Sequence, residues 1–163
     1  VRLKQETPDD WWEVEALFDL CFAPGRTALS SYRLRDNTEP LRALSTIARD
    51  AQNTLAGAIR FWPVKVGNHD ALLLGPIAVH PTHQGEGLGA ALIEDGLSSA
   101  KSAGWKRTLL VGDAPYYQKF GFEILPHVVM PPPTNPDRVL GAGAWTGVAG
   151  PVTPWPEKTG GQT

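Results

Sequence analysis

The chain has 163 residues, 42% of them apolar and 20% charged, and a net charge of -2. That is enough for one domain with a real core, burying roughly 70% of the surface its unfolded form exposes. No basic stripe is available for nucleic acid or an anionic membrane, no apolar run is long enough to span a bilayer, and a lone cysteine, Cys21, excludes an internal disulfide or a thiolate zinc site. The first residues do not read as a signal peptide, so a cytoplasmic protein is expected. The six tryptophans are expected mostly in the core, with some available for the contact of a homodimer.

Val1–Glu6 alternates as a short first strand. Thr7-Pro8-Asp9-Asp10 is a helix start, with a capping threonine, proline at the first helical position and acids in the first turn. The helix runs to Phe22 with an apolar stripe of Trp11, Trp12, Val14, Leu17, Phe18 and Cys21, and Ala23-Pro24-Gly25 ends it. Thr27–Asp36 reads as a second short helix, with Arg26, Tyr32, Arg33 and Arg35 on a solvated face. Leu41–Ala51, Leu55–Val66 and Ala71–Val79 follow as three strands, separated by turns at Asp50–Asn53 and Gly67–Asp70, and read as an antiparallel meander. The third is almost unbroken in its apolar character, so it is expected to be buried on both faces. Gly75-Pro76 in its middle marks a bulge or a local parting of strands.

His80–His83 then turns the chain into Gln84-Gly85-Glu86-Gly87-Leu88-Gly89-Ala90, a glycine loop that opens a helix over Gly87–Ala103. Leu88, Leu92, Ile93, Leu97 and Ala100 form the buried face of that helix and Gly104 stops it. Thr108–Val111 returns as a short strand parallel to the previous one through a right-handed crossover. Pro115–Phe120 is a brief helix, Phe122–Leu125 and Arg138–Leu140 are strands, and Pro131-Pro132-Pro133 is a rigid extended loop. Residues 1–146 read as a single domain and 147–163 as a Pro/Gly-rich tail, partly disordered. The fold class is α+β: a mixed, mostly antiparallel central sheet flanked by helices, with a β-α-β unit at its heart.

A glycine loop at a helix N-terminus presents successive backbone N–H groups at the positive end of the dipole, which makes an anion cradle suited to a phosphate or pyrophosphate. Gly85-x-Gly87-x-x-Ala90 fits the dinucleotide fingerprint, with Asp113 as its acid, and would make the chain an NAD-dependent oxidoreductase. His80-x-x-His83 lacks a third ligand at useful spacing, so no metal is expected.

Gln84-x-x-Gly87-x-Gly89, read with the strand before it, resembles motif A of the GNAT N-acetyltransferase superfamily. Downstream, Val111-Gly112-Asp113-Ala114-Pro115-Tyr116-Tyr117-Gln118-Lys119-Phe120-Gly121-Phe122 looks like a bacterial branch of predicted acetyltransferases, with Tyr117 placed before the Gly121-Phe122 pair. The two motifs stand in the family's order and cover Ala43–Leu125 in plan. The resemblance implies acetyl-CoA as cosubstrate, its pyrophosphate held by the N–H groups of Gln84, Gly85, Glu86, Gly87, Leu88, Gly89 and Ala90. The pantetheine arm would pair with the backbone of Ile77, Ala78 and Val79 like an added strand. The N–H of Val79 would serve as oxyanion donor, and Tyr117 would touch the coenzyme and protonate the departing sulfur. Tyr116 beside it stays open as an alternative. The acceptor would be a primary amine on a small molecule or peptide, in a pocket built by Arg26–Asp36, the second strand pair and the loop after Val129. No general base is named: His80, Asp50 and Glu39 have no spacing that places them at the amine. The rival within the same fold is a non-catalytic module that binds or senses acyl-CoA.

Overall fold

The first helix begins as its sequence dictates. Asp10 Oδ2 accepts from the N–H of Thr7 at 2.8 Å and from its hydroxyl at 2.9 Å, fastening the turn Pro8–Asp10. The computed structural model describes residues 1–22, 34–35 and 38–156. All of the helix expected over Thr27–Asp36 except Leu34 and Arg35, together with Arg26 and the last residues of the tail, lies outside these. Helix α1 (Trp11–Cys21) buries Val14, Leu17 and Phe18 against Ile47, Leu55, Ala58 and Ala78. Trp12 does not join them. At 100° per residue it falls opposite that stripe, and it is 81% exposed.

The strands are β1 (Arg2–Gln5), β2 (Thr46–Arg49), β3 (Leu55–Val66), β4 (His69–Val79), β5 (Arg107–Val111), β6 (Glu123–Ile124), β7 (Val128–Val129), β8 (Val139–Gly143) and β9 (Gly150–Pro154). They form a sheet in the order β1-β2-β3-β4-β5-β8-β6, with β9 pairing both β3 and β7. Neighbours run antiparallel except β4–β5 and β7–β9. Helix α2 (Leu88–Ser102) crosses from β4 to β5 and α3 (Ala114–Tyr117) follows β5. One core packs Ile59, Phe61, Leu72 and Leu74 against Leu88, Leu92 and Ile93 of α2. The opposite side is filled by α1 and by a cluster around Trp62, Leu73, Leu109 and Met130.

Leu41–Ala51 and the chain after Gly147 depart from expectation. Leu41–Ala51 is not extended throughout. The Ser45 hydroxyl and N–H both bond to Leu41 O at 3.0 Å, holding a turn before β2 begins at Thr46. The chain after Gly147 is not a loose tail over its first part. Strand β9 pairs with the end of β3 through Val66↔Val152 and Val64↔Pro154, and Val152 is 4% exposed.

The parting of strands expected at Gly75-Pro76 is present. The β3–β4 register runs Phe61↔Leu74 and resumes at Ile59↔Ile77, so Gly75 and Pro76 together oppose Arg60. This extra residue keeps Ile77 and Val79 on the α2 side with Leu72 and Leu74; in an unbulged strand they would flip. Strand β5 pairs with β4 at Leu72↔Thr108 and Leu73↔Leu109 and then leaves it, while staying paired with β8 from Arg107 to Val111.

Opposite the bulge, Arg60 is 2% exposed and Glu6 1%. The guanidinium grips Glu6 through Nε at 3.1 Å and Nη2 at 2.9 Å, bonds Glu15 of α1 through Nη1, and stacks on the Trp11 ring at 3.9 Å. One side chain thus joins the end of β1, α1 and the bulged part of the sheet. Arg60→Ala would leave Glu6 buried without its partner and is expected to cost about 3–5 kcal/mol, read from urea unfolding. A loss below about 1 kcal/mol would show that the triad is not what fastens α1 to the sheet.

Candidate active site

The fork between β4 and β5 is where backbone groups come free. His80 N–H donates to Ala56 O at 2.8 Å, so Ala56–His80 is a hydrogen-bonded pair. The register continues Gly57↔Val79, Ala58↔Ala78 and Ile59↔Ile77. Bonded and non-bonded pairs alternate in an antiparallel ladder. Ala58–Ala78 is therefore bonded, while the N–H and C=O groups of Ile77 and Val79 point away from β3, into the space β5 has left. The Val79 carbonyl there accepts two long bonds, both at 3.4 Å, from the Cys21 thiol and from Gln84 Nε2. Burial pushes the Cys21 thiol pKa up, so it stays a donor. Ala78 differs from the sequence expectation: its peptide groups serve β3 and its side chain packs under α1. Two of the three expected backbone positions face the fork.

The glycine loop begins one turn beyond Val79. Gly85 and Gly87 have φ of +84° and +81°, a region side chains disfavour, and among the described residues a Cβ at either would meet nothing within 4 Å. The first bond of α2 is Ala91 N–H to Gly87 O at 3.1 Å. The N–H groups of Leu88, Gly89 and Ala90 thus precede any intrahelical partner, at the positive end of the helix. An open rim of unscreened N–H groups fits a pyrophosphate. The oxidoreductase reading fits less well. The strand entering the loop pairs antiparallel with β3 and only briefly parallel with β5, so it does not sit in a parallel sheet, and Asp113 caps α3, its Oδ2 accepting from Tyr116 N–H at 3.3 Å.

The two tyrosines occupy different places. The Tyr117 ring is wedged among Tyr116, Phe122 and Phe120, with centroids at 5.0, 5.8 and 6.3 Å, and lies against Gly112, whose Cβ position is 2.6 Å from Tyr117 Cε2. Burial first, then neighbouring Tyr116, push its pKa above the usual phenol value, so it stays protonated at neutral pH. Tyr116 is 37% exposed, and Lys119 Nζ sits over its ring at 4.1 Å. Its hydroxyl is 3.8 Å from the Cβ position of Gly89, which is itself 3.7 Å from Val79 Cγ2.

On the other side of the bulge, Trp62 Nε1–H donates to Gly75 O at 2.7 Å. Arg35 is 8% exposed and lies over the Trp62 ring at 5.5 Å, with Nη2 3.3 Å from the Cβ position of Gly75. The expected solvated face does not hold for this arginine: stacking on Trp62 brings it to the fork. Of the candidate bases, His80 is tied to the Thr82 hydroxyl at 2.8 Å and Asp50 to His83 at 3.1 Å. Sequence reasoning missed that last contact, which joins a hairpin turn to the glycine loop and leaves no local signal.

Residues 43–124 match the family described as acetyltransferase (GNAT) domain. The uncharacterized N-acetyltransferase YhbS of Escherichia coli strain K12 is 30% identical over 127 residues, 77% of this chain and 75% of that protein. A crystal structure of the E. coli GNAT family N-acetyltransferase YhbS in complex with CoA superposes with a TM-score of 0.81 at 26% identity, covering 94% of this chain and 89% of that one. A GNAT family acetyltransferase from Brucella melitensis in complex with acetyl-CoA gives a TM-score of 0.62 at 30% identity over 75% of this chain and 82% of that one. The strand fork, the glycine loop and the tyrosine segment all fall inside the matched region, and the chain belongs to the GNAT family of N-acetyltransferases.

Proposed function

We propose that this protein transfers the acetyl group of acetyl-CoA to a primary amine, on a small molecule or a peptide, by direct attack of the amine. The observation that carries this reading is the edge of Ile77 and Val79 turned into the fork, next to an open glycine loop. Acetyl-CoA supplies an activated acetyl thioester. The N–H groups from Gln84 to Ala90 hold the pyrophosphate, and the backbone of Ile77 and Val79 takes the pantetheine arm as an added strand. The Val79 N–H then donates to the acetyl oxygen as charge develops there, the kind of preorganised donor that contributes most in acyl transfer. Tyr117, kept protonated by burial, gives its proton to the departing sulfur, and the proton lost by the attacking nitrogen passes to water, from which Tyr117 is reprotonated. A phenol near pKa ~10 and a thiol near ~8.5 are matched closely enough for this transfer. Arg35 and Trp62 lie on the side from which the acceptor would approach.

Tyr117→Phe is expected to lower kcat by about 100-fold while the affinity for acetyl-CoA, measured by calorimetry, stays within about twofold. Unchanged turnover in Tyr117→Phe with loss in Tyr116→Phe would move the acid to the neighbouring ring, whose hydroxyl is the one beside Gly89. Gly89 lies inside the first turn of α2 without a positive φ, so Gly89→Glu keeps the backbone and places a carboxylate in the cradle. Coenzyme binding should disappear in that variant, and normal affinity would contradict the loop assignment.

A further inference from the structure

The glycine loop is tied to the β2–β3 turn through His83. His83 closes the turn that precedes the loop. Its Nε2 is 3.1 Å from Asp50 Oδ2, in the β2–β3 turn, and its Nδ1 is 2.9 Å from Glu86 Oε1, inside the loop. Asp50 is itself anchored, because its Oδ1 accepts from the N–H groups of Gln52 and Thr54, both at 2.9 Å. A neutral imidazole has one N–H and one lone pair, so it can donate to only one of two carboxylates. Both contacts are satisfied together only by the imidazolium. The arrangement is therefore a clasp: a rigid hairpin carboxylate, a charged ring, and a carboxylate belonging to the anion cradle.

We propose that His83 is a positioning residue for the coenzyme: in its charged form it ties the glycine loop to the β2–β3 turn and draws the Glu86 carboxylate off the cradle, and coenzyme affinity falls as this proton is lost. The proposal rests on the reading that the loop holds the pyrophosphate. Among the described residues, Asp50 and Glu86 are the charged groups facing the ring. His80, across the same turn, is engaged with Thr82, and the Arg49 guanidinium next to Asp50 is turned to Asp10 and Glu13. Hydrogen bonds from Glu86 first and Asp50 second hold the His83 pKa above its ordinary value. The sign follows. With the ring charged, the two carboxylates and the imidazolium sum to one negative charge, and with the ring neutral to two. The neutral form also releases one carboxylate beside the phosphates. Coenzyme binding therefore favours the protonated ring, and by linkage binding raises its pKa further.

The test is calorimetric affinity for CoA of the wild type and of His83→Gln, from about pH 5.5 to about pH 8.5, a range that brackets a histidine with a raised pKa. The coenzyme's own phosphate titration is common to both proteins and cancels in the comparison. The wild-type affinity is expected to fall roughly threefold to tenfold more than that of the variant across this range, as befits a partly exposed charge. In the free protein, the His83 imidazole should titrate above ~6.5 by NMR and move down in Glu86→Gln. Parallel pH dependences in wild type and variant, or a His83 that titrates at its ordinary value, would overturn the proposal while leaving the cradle intact. No binding of CoA by the wild type at any pH would overturn the coenzyme reading, and this proposal with it.

Discussion

The architecture turns on one extra residue in β4. Leu72, Leu74, Ile77 and Val79 all pack toward α2, which a regular strand with period two cannot arrange, since the second pair is odd-numbered and the first even. Gly75-Pro76 opposite Arg60 supplies the missing step. Proline offers no N–H to a ladder and glycine accepts a φ of +130°, so the same two residues that shift the phase also end the pairing with β5. The bulge is held from behind. Trp62 bonds the Gly75 carbonyl, and the residue opposite, Arg60, is locked by Glu6, Glu15 and Trp11. A buried ion triad is a weak source of net stability but a costly one to break, which makes it a suitable fastening for a local irregularity.

The proposed site follows from that geometry with few specialised side chains. Beyond the bulge, the alternation of the ladder fixes which peptide groups meet β3 and which face the fork. The strand then runs directly into a glycine loop and the positive end of α2, so an edge for an amide chain and a cradle for a pyrophosphate come in sequence. Binding groups made of backbone N–H tolerate side-chain replacement, provided the glycines and the bulge remain.

Much of this was legible because its causes are local. The Thr7–Asp10 cap, the meander, the buried face of α2 and the disruption at Gly75-Pro76 each follow from neighbouring residues, and the family resemblance followed from the Gln84–Gly89 loop and the Val111–Phe122 segment. What was not legible depends on register or on distant packing. That Ile77 and Val79 face the fork while Ala78 does not needs the pairing with β3. Strand β9 gives no periodic signal, since among Gly150–Pro154 it is Val152 that is buried. Arg35 becomes buried because Trp62 lies beneath it, and the Asp50–His83–Glu86 clasp joins a hairpin turn to a loop from another part of the sheet. The two adjacent tyrosines share one aromatic cluster but differ in setting: Tyr117 packs against Gly112 and Phe122, while Tyr116 packs against Phe120 and carries its hydroxyl toward Gly89.

Amide hydrogen exchange at residues 77–79, with and without acetyl-CoA, addresses the central claim most directly. The account predicts that in the free protein the Ala78 N–H, bonded to β3, is protected while those of Ile77 and Val79 exchange faster. Acetyl-CoA should then slow Ile77 and Val79 and leave Ala78 unchanged. Equal protection of all three in the free protein, or slowing confined to residues away from this edge, would contradict it.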